Sequence, residues 1–520
     1  MKFPVFDKNQ NRFLPCFFLL SCFLITAWLS GCSNDKAQDG KELQITQAVF
    51  TRTGIYYQLS QPALIKEVRL AAPGGIPLVT VREQQTKASG IIDTDWKKNT
   101  KYILEVLTDS GEVSMPIFSP EKPTPVKIGE IPLKELERSE MEYRYYASRS
   151  AEVCFSPDSK YIGVGSKGGY VYVIQTDTQE ILWQHKIAQG RVAKVAFTGN
   201  GRLVAGEESR DGFIYCFDAA SGKMLWQYKA YDDFGNQGNE LFRYRDLYTS
   251  YPLQAYGLRI DQENNPYLLM RYSAQKEIQG RQIQVSSSIV YKFDIESGQP
   301  LWKFPIKASA WGLDLSHDGK YVLPSIGWSK KPVLQVLDAA SGTPAWEQSF
   351  SGDAAAMETF HGTTGFNASF SPDSHYVVVN QIYPDITFIF DNPASAAQHA
   401  PIPVLKKKFF PLIKAGQISI GVSAGNLTPM QNTMAFSTWS TRALGAGRDN
   451  MQPPSQHPDA DTLFVHSYDG ELQWKWKLGD GTWSNGCILS QDERYMAVPV
   501  GIVPESPFAD PQSMGVYVFN

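Results

Sequence analysis

Residues 153–162 read VCFSPDSKYI, an apolar strand that runs into a polar turn and out into a second strand. The same arrangement returns as LDLSHDGKYV at 313–322, ASFSPDSHYV at 368–377 and ILSQDERYM at 488–496. Apolar residues alternate with small or polar ones on each side of the turn, and this period of two predicts strands. The recurrence therefore indicates an array of similar β units rather than one irregular domain.

A second repeated element accompanies the first. It reads FDAASGKMLW at 217–226, FDIESGQPLW at 293–302 and LDAASGTPAW at 337–346, and degenerate versions end at Trp183 and Trp474. The Asp side chain can hold a turn, the Gly supplies a positive φ, and the Trp can cover the joint between neighbouring sheets. Together the two elements make one four-stranded propeller blade, so we predict an all-β protein.

The Asp-to-Trp element resembles the quinoprotein-type (PQQ-like) propeller repeat, and the Ser-Pro-Asp element resembles the WD-repeat and TolB-like propellers. This resemblance implies a β-propeller over residues 131–520 with about seven blades. The last repeat stops at Asn520 one strand short. Because an open ring would expose a strand edge, we expect a closing strand from within residues 127–146. The repeats start near Ala151, Val192, Tyr256, Trp311, Phe366, Ile418 and Trp483.

Residues 42–120 show a separate series of alternating segments, such as IYYQL at 55–59 and YILEVL at 102–107. Their spacing predicts about seven short strands and hence an N-terminal β-sandwich. The stretch WKKNTKY at 96–102 resembles the corner of fibronectin type III domains, in which a Tyr packs against the upstream chain. A proline-containing linker is expected at residues 121–130.

The N-terminus has the layout of a secretory signal. Three basic residues precede an apolar run at 13–29, which ends in LSGC at 29–32. The run has 17 residues and is interrupted by Pro15. It is therefore shorter than the roughly 20 residues that a permanent membrane anchor, the alternative interpretation, requires.

The LSGC motif resembles the bacterial lipobox. This resemblance implies that residues 1–31 are a lipoprotein signal peptide, that Cys32 is the lipid attachment site, and that residues 32–41 are a lipid-attached tether. Diacylation holds a protein on a bilayer firmly, so we expect a cell-envelope protein that is tethered rather than spanning. Ser33 follows the cysteine, which by the sorting rule of enterobacterial lipoproteins favours the outer membrane.

The charge of the chain limits the kinds of partner that we expect, and its cysteine content limits the roles of the cysteines. The chain carries 49 Lys and Arg against 53 Asp and Glu, a formal charge of −4. Such a balance provides no electrostatic footprint for DNA or RNA, so we expect no nucleic acid partner. Outside the signal and the lipid site, Cys154, Cys216 and Cys487 form no disulfide or metal pattern, and we expect buried core cysteines.

Aromatic residues recur at one height of the predicted inner strands. Tyr256, Trp311 and Phe366 are spaced by 55 residues, and Trp483 lies close to the equivalent position. A funnel lined by aromatics could bind a protein partner. The alternative is that these side chains pack between blades.

Three insertions, at 231–252, 273–287 and 441–461, exceed what blades need. Loops this long in a compact domain are commonly functional. The first contains aromatic residues among charged ones, a composition typical of protein interfaces, and its partner-binding candidates are Phe242, Tyr244 and Tyr248.

Two resemblances raise enzyme hypotheses. Quinone-dependent dehydrogenases hold their cofactor against adjacent cysteines in an eight-bladed ring, but this chain has no such pair, so we expect no cofactor. Arylsulfate sulfotransferases join a small β-domain to a propeller and use a central histidine as nucleophile, and His361 is the weak catalytic candidate by that resemblance. No histidines have the spacing of a helical metal pair, so no metal site is predicted.

These observations favour an envelope lipoprotein whose propeller is a protein-binding or assembly scaffold. The PQQ-like repeat also occurs in non-enzymatic proteins, among them a lipoprotein of the outer-membrane β-barrel assembly machinery, which agrees with a scaffold role. A periplasmic or surface enzyme is the alternative, with sulfotransferase-like chemistry first and quinone-dependent oxidation second.

Overall fold

The described residues form strands β1 to β38 and one short 3-10 helix, Ala230–Phe234, so the prediction of an all-β chain is confirmed. Among these residues, no helix is long and apolar enough to cross a membrane. The computed structural model describes residues 42–51, 54–72, 76–120, 127–133, 152–187, 190–234, 242–244, 248–250, 253–279, 281–326, 333–349, 366–371, 373–381, 386–392, 405–409, 418–422, 428–429, 433–443, 451–452, 462–467, 471–478, 482–484, 487–490, 495–502 and 513–519.

The N-terminal strands are β1 (Ile45–Phe50), β2 (Gly54–Ala71), β3 (Pro77–Asp93), β4 (Lys101–Thr108) and β5 (Glu112–Phe118). They form one antiparallel sheet in which β2 is central. On one edge β2 pairs with β3 along most of its length, and on the other edge it pairs first with β1 and then with β4. Pairing with β3 is interrupted between Gln58 and Ala63, a bulge that accommodates Pro62.

This sheet has five strands instead of the seven short ones predicted, because β2 and β3 continue for 18 and 17 residues. The predicted corner contact at Tyr102 is confirmed, since the Lys97 backbone N–H donates to the Tyr102 hydroxyl at 2.7 Å. Trp96 lies beside it and donates from Nε1 to the Thr51 carbonyl at 2.9 Å. Phe50 contacts both rings, with centroids 5.1 Å from Trp96 and 5.7 Å from Tyr102.

The C-terminal strands form successive antiparallel sheets of four main strands each. The first three are β7 (Glu152–Phe155), β8 (Tyr161–Gly165), β9 (Tyr170–Gln175) and β10 (Ile181–Lys186); β11 (Val192–Phe197), β12 (Arg202–Ser209), β13 (Phe213–Asp218) and β14 (Met224–Lys229); and, after a hairpin of β15 (Phe242–Tyr244) and β16 (Tyr248–Ser250), β17 (Leu253–Ile260), β18 (Pro266–Ile278), β19 (Arg281–Phe293) and β20 (Pro300–Ile306).

The same pattern continues to the C-terminus. The remaining strands are β21 (Ala310–Leu315), β22 (Tyr321–Ile326), β23 (Val333–Asp338) and β24 (Pro344–Ser349); β25 (Phe366–Phe370), β26 (Tyr376–Gln381), β27 (Ile386–Asp391) and β28 (Leu405–Phe409); β29 (Ile418–Val422), β30 (Thr428–Pro429), β31 (Thr433–Ala443), β32 (Met451–Gln452), β33 (Thr462–Ser467) and β34 (Leu472–Lys477); and β35 (Thr482–Ser484), β36 (Ile488–Leu489), β37 (Met496–Ile502) and β38 (Ser513–Phe519).

The repeated turns form the hydrogen bonds that their residues predict. In the first sheet Ser156 Oγ donates to Asp158 at 2.7 Å and accepts from the Tyr161 N–H at 2.9 Å. The turns that follow β21 and β25 have the same bonds. In the second element, Asp218 accepts from the Ser221 N–H and hydroxyl at 2.8 and 2.6 Å.

In the described residues, a tryptophan connects each of the first three of these sheets to the turn of the next. Trp226 Nε1 donates to the Ile295 carbonyl at 2.7 Å, and Trp302 Nε1 donates to the Ala339 carbonyl at 3.1 Å. The Gly in that turn has φ of +67° at Gly298 and +71° at Gly342, and a Cβ there would lie 2.6 Å from the indole. Glycine is therefore required both for the turn and for the close approach of the Trp.

The closing strand predicted within residues 127–146 is confirmed as β6 (Lys127–Pro132), which pairs antiparallel with β38. It begins inside the predicted linker of 121–130, because the apolar alternation of Ile128 and Ile131 already starts there. Ile131 and Leu133 are buried with residues of the first and last sheets.

Candidate functional site

The first strands of the successive sheets line a cavity of about 520 Å³. Most of its residues come from β7, β11, β17, β21, β25 and β36, so the cavity is the shared centre of these sheets. One end of the cavity lies at the turns that follow these first strands. Three of them, which begin at Ser156, Ser316 and Ser371, are named here the Ser-Asp turns. The wall at this end is apolar, and the six side chains that precede its turns, named here the apolar collar, are Phe155, Phe197, Ile260, Leu315, Phe370 and Leu489.

Two ion pairs join neighbouring sheets within this wall. Lys194 Nζ lies 2.7 Å from the Glu152 carboxylate, and Arg259 Nε lies 2.7 Å from Asp314 Oδ1. The second oxygen of Asp314 accepts from the Phe370 N–H at 2.8 Å, which ties in the next sheet. Burial lowers the pKa of Lys194, the pair with Glu152 opposes this change, and the nearby arginine charges add to it.

Three successive first strands are bulged at the same height. The pairing register shifts around Ala193 in β11, around Tyr256 in β17 and around Trp311 in β21. Each of these residues lies four positions before the apolar residue that precedes the turn. Bulges change the direction of a side chain and are frequent beside functional sites.

Arg271 lies against two of the bulged residues. Its guanidinium carbon is 4.3 Å from the ring centroids of both Tyr256 and Trp311, whose rings meet edge to face at 5.3 Å. Arg271 Nη2 also donates to Gln254 Oε1 at 2.6 Å. The guanidinium is thus held by cation–π contacts and a hydrogen bond in a buried position.

The polar contacts continue into the preceding sheet. Gln254 Nε2 donates to Glu208 Oε1 at 3.3 Å, and Glu208 pairs with Arg191 at 2.9 Å, with both charged side chains almost fully buried. This network lies where the first strands begin, opposite the Ser-Asp turns, and we name that side the entry end. It links two neighbouring sheets, which are also hydrogen-bonded directly at Glu208 and Gln254.

Glu207, next to this network, is a buried acid. Ser209 Oγ and the Phe213 N–H donate to its Oε1, and the Tyr215 hydroxyl donates to its Oε2 at 3.0 Å. Burial raises the pKa of Glu207 to about 7, the three hydrogen bonds oppose that rise, and the Asp211 charge adds to it. The carboxyl therefore titrates near neutral pH.

A long hairpin extends from the entry end. Strands β18 and β19 pair from Tyr267 to the Ile278–Arg281 turn, whereas β17 stops pairing at Tyr272. Residues 273–287, predicted as a loop insertion, are therefore mainly strand. The short β15–β16 hairpin from the other insertion lies against β18.

The structure places the predicted site residues unevenly. Tyr256 is only 7% exposed and packs in the core between sheets, and Trp311 is half-buried beside it. Phe366 begins β25 and Trp483 lies in β35, and their side chains lie outside the described part. The same holds for the side chains of the insertion candidates. Phe242 and Tyr244 lie in β15, and Tyr248 lies in β16.

The other predicted residues either lie outside the described part of the structure or have the environment that was predicted. Residues Cys32 and His361 lie outside the described residues, as does the tether. The three cysteines at 154, 216 and 487 are free and buried, as predicted, and burial raises the pKa of each thiol to about 12. Within the described ranges, no cluster of His, Cys, Asp and Glu could hold a metal ion.

The repeats and motifs of the sequence do not predict Arg271, Gln254 or the Arg191–Glu208 pair as site residues. One signal was available for Arg271, which interrupts the apolar run YLLMRY at 267–272. A charged residue in such a strand needs a buried partner. Its partners cannot be identified from sequence because they lie on other strands.

Comparisons with known proteins identify the family. A family model described as outer membrane protein assembly factor BamB matches residues 167–263 and 286–485, more than half of the chain. Similar solved structures include the crystal structure of the Myceliophteria thermophila Cps50 (Swd1) β-propeller domain. It has 11% sequence identity, the match covers 75% of this chain and 99% of that chain, and the TM-score is 0.46. No curated protein matches.

Proposed function

The chain belongs to the family of the outer membrane protein assembly factor BamB, and on that premise we propose that it is an assembly scaffold of the cell envelope. In this proposal a seven-bladed PQQ-like propeller binds a protein partner at its entry end. A lipid on Cys32 tethers the protein to the outer membrane, and residues 42–120 form a sandwich-like domain between the tether and the propeller.

The observation that carries the proposal is the group of Trp311, Tyr256 and Arg271 at the entry end. Aromatic and arginine side chains contribute most of the binding energy at protein interfaces. Tyr256 is buried and supports the group, whereas Trp311 keeps part of its surface accessible. The two hairpins extend on the same side, so a partner could contact the hairpins and the Trp311 side chain together.

We expect Trp311→Ala and Tyr244→Ala each to weaken partner binding by about 2 kcal/mol or more, which is roughly 30-fold. The measurement is quantitative co-purification from crosslinked envelopes, followed by titration with the purified partner. Leu301→Ala is a matched control, because Leu301 is an exposed apolar residue on the outer strand β20. It should leave partner binding unchanged.

An enzyme would behave in the opposite way. Removal of a nucleophilic imidazole in His361→Ala would cost orders of magnitude in sulfuryl transfer from an aryl sulfate, while Tyr244→Ala would be nearly silent. Wild-type turnover that is abolished by His361→Ala would refute the scaffold. Unchanged partner binding in both aromatic variants would refute the entry end as the interface.

The lipid tether has its own test. Because Cys32 is the proposed attachment site, Cys32→Ser should abolish incorporation of labelled palmitate and leave the signal segment uncleaved. Fractionation should then move the protein out of the outer membrane. Palmitate label that persists in the variant would contradict the lipoprotein assignment.

A further inference from the structure

The central cavity has the size and lining of a small-molecule site, which a scaffold role does not explain. Its volume of about 520 Å³ lies within the range of ligand pockets. The wall combines the apolar collar with a few charged side chains that precede it in the same strands. This combination is typical of sites that bind amphipathic organic molecules.

Two cations face this cavity from adjacent sheets. Lys194 and Arg259 both line it, and each has its carboxylate partner on the side away from the other cation. Glu152 belongs to the sheet before Lys194, and Asp314 belongs to the sheet after Arg259. The described carboxylates therefore neutralise each cation from outside and leave the space between the two cations favourable for an anion.

Arg259 has N–H donors that a ligand in the cavity could use. Its side chain is 45% exposed, and its described hydrogen bonds run from Nε to Asp314 and from Nη1 to the Leu258 carbonyl. A guanidinium has five N–H donors, so further donors remain for a ligand. Lys194 supplies a second positive charge beside it, and the repulsion from Arg259 on Lys194 would be relieved by an anion between them.

We propose that this cavity binds a small organic monoanion, a carboxylate with an apolar body. The carboxylate would lie between Lys194 and Arg259, and the body would contact the apolar collar. A monoanion is favoured over a phosphate dianion because Glu152 and Asp314 already balance the two cations, so a dianion would add excess negative charge to a partly buried site.

The test uses fluorine NMR of 4-(trifluoromethyl)benzoate with the purified full-length protein in detergent, and a detergent-only sample as the blank. The benzoate should bind saturably, and its uncharged benzamide analogue should bind at least tenfold more weakly. Arg259→Gln should weaken benzoate binding at least tenfold, whereas Arg259→Lys, which keeps the charge, should retain most of it. Lys229→Gln, at a surface ion pair with Asp211, is the matched control and should have no effect.

A second variant distinguishes weaker ligand binding from loss of folding. Glu152→Gln with Lys194→Gln removes the ion pair as a unit, so that no partly buried charge is left alone, and it should still weaken benzoate binding. Thermal melts identify variants that remain folded. Equal affinity of wild type and folded Arg259→Gln, absence of saturable binding, or displacement of the benzoate by equimolar inorganic phosphate would each overturn the proposal.

Discussion

At the scale of single residues, Glu207 links the fold to pH. Its carboxyl is buried, and burial raises its pKa to about 7 from the ordinary value of 4.5. The folded chain therefore holds a proton that the unfolded chain releases. The stabilisation is complete below pH 4.5 and is lost as the pH rises through about 7, a change of about 3 kcal/mol.

Glu207→Gln should remove this dependence. The amide oxygen can still accept from the Ser209 hydroxyl and the Phe213 N–H, and the amide nitrogen can donate to the Tyr215 hydroxyl, which itself can donate to the Ile187 carbonyl. Above pH 7 the variant should be more stable than wild type by up to about 3 kcal/mol. Urea unfolding of both proteins at several pH values from 5 to 8 measures this difference in stability.

Exposed Glu263→Gln is the control for this experiment, since its loss removes one carboxylate without changing a buried site. The free energy of unfolding of wild type minus that of Glu207→Gln should fall from pH 5 to about pH 7 and level off above it. A constant difference across that range would show that Glu207 does not titrate there.

Gly298 tests how closely the tryptophans must approach the turns. Gly298→Ala should cost about 1–2 kcal/mol for the positive φ and more for contact with the Trp226 indole, 2.6 Å from the added Cβ. Gly319→Ala is a matched control, because its φ of +70° is similar and no atom lies within 4 Å of its Cβ. Denaturant unfolding should show Gly298→Ala as the more destabilised, and equal costs would mean that the indole moves freely.

At the scale of the strand, a feature can be predicted from the sequence when the residues that form it are close together in the chain. The Ser-Asp turn closes within five residues, as between Ser156 and Tyr161, so a short pattern records it. The Arg271 group joins residues 17 and 40 positions away, Gln254 and Trp311, through bulges that no sequence pattern marks. The repeats thus predicted the sheets and the closing strand, but not the charged network.

The N-terminal strands illustrate the same limit. Turn residues suggested many short strands, but Pro62 lies at a bulge, where a missing N–H costs no ladder hydrogen bond. The chain therefore continues as one strand through a position that usually ends one. The Tyr102 corner was predictable because its hydroxyl contacts Lys97, only five residues away.

At the scale of the whole molecule, the ring of sheets is joined by two different kinds of seam. Between the first four of these sheets, a Trp of one sheet donates to the turn of the next, as Trp226 does. At the closure, β6 joins β38, Gln179 donates to the Ile128 carbonyl at 3.3 Å, and Lys127 lies 3.5 Å from the Tyr517 ring centroid. The Tyr495 hydroxyl also donates to Asp177 at 3.2 Å, a further contact between the last and first sheets.

The closing strand should therefore control the stability of the ring. A chain that begins at residue 134 lacks β6, which leaves the β38 edge unpaired and exposes the apolar partners of Ile131 and Leu133. Full burial of two such side chains contributes about 3–6 kcal/mol. This chain should melt several degrees earlier than one that begins at Pro120, which lacks the same N-terminal strands but keeps β6.

A synthetic peptide of residues 120–134 separates loss of the strand from general damage to the fold. If β6 acts by pairing with β38, the peptide should bind the chain that begins at residue 134 and raise its melting temperature in a concentration-dependent way. A peptide with Ile131→Asp should not, because a charge would replace the side chain buried among Val516, Val518 and Ile162. Equal melting of the two shortened chains, with no response to peptide, would show that the ring is held without this strand.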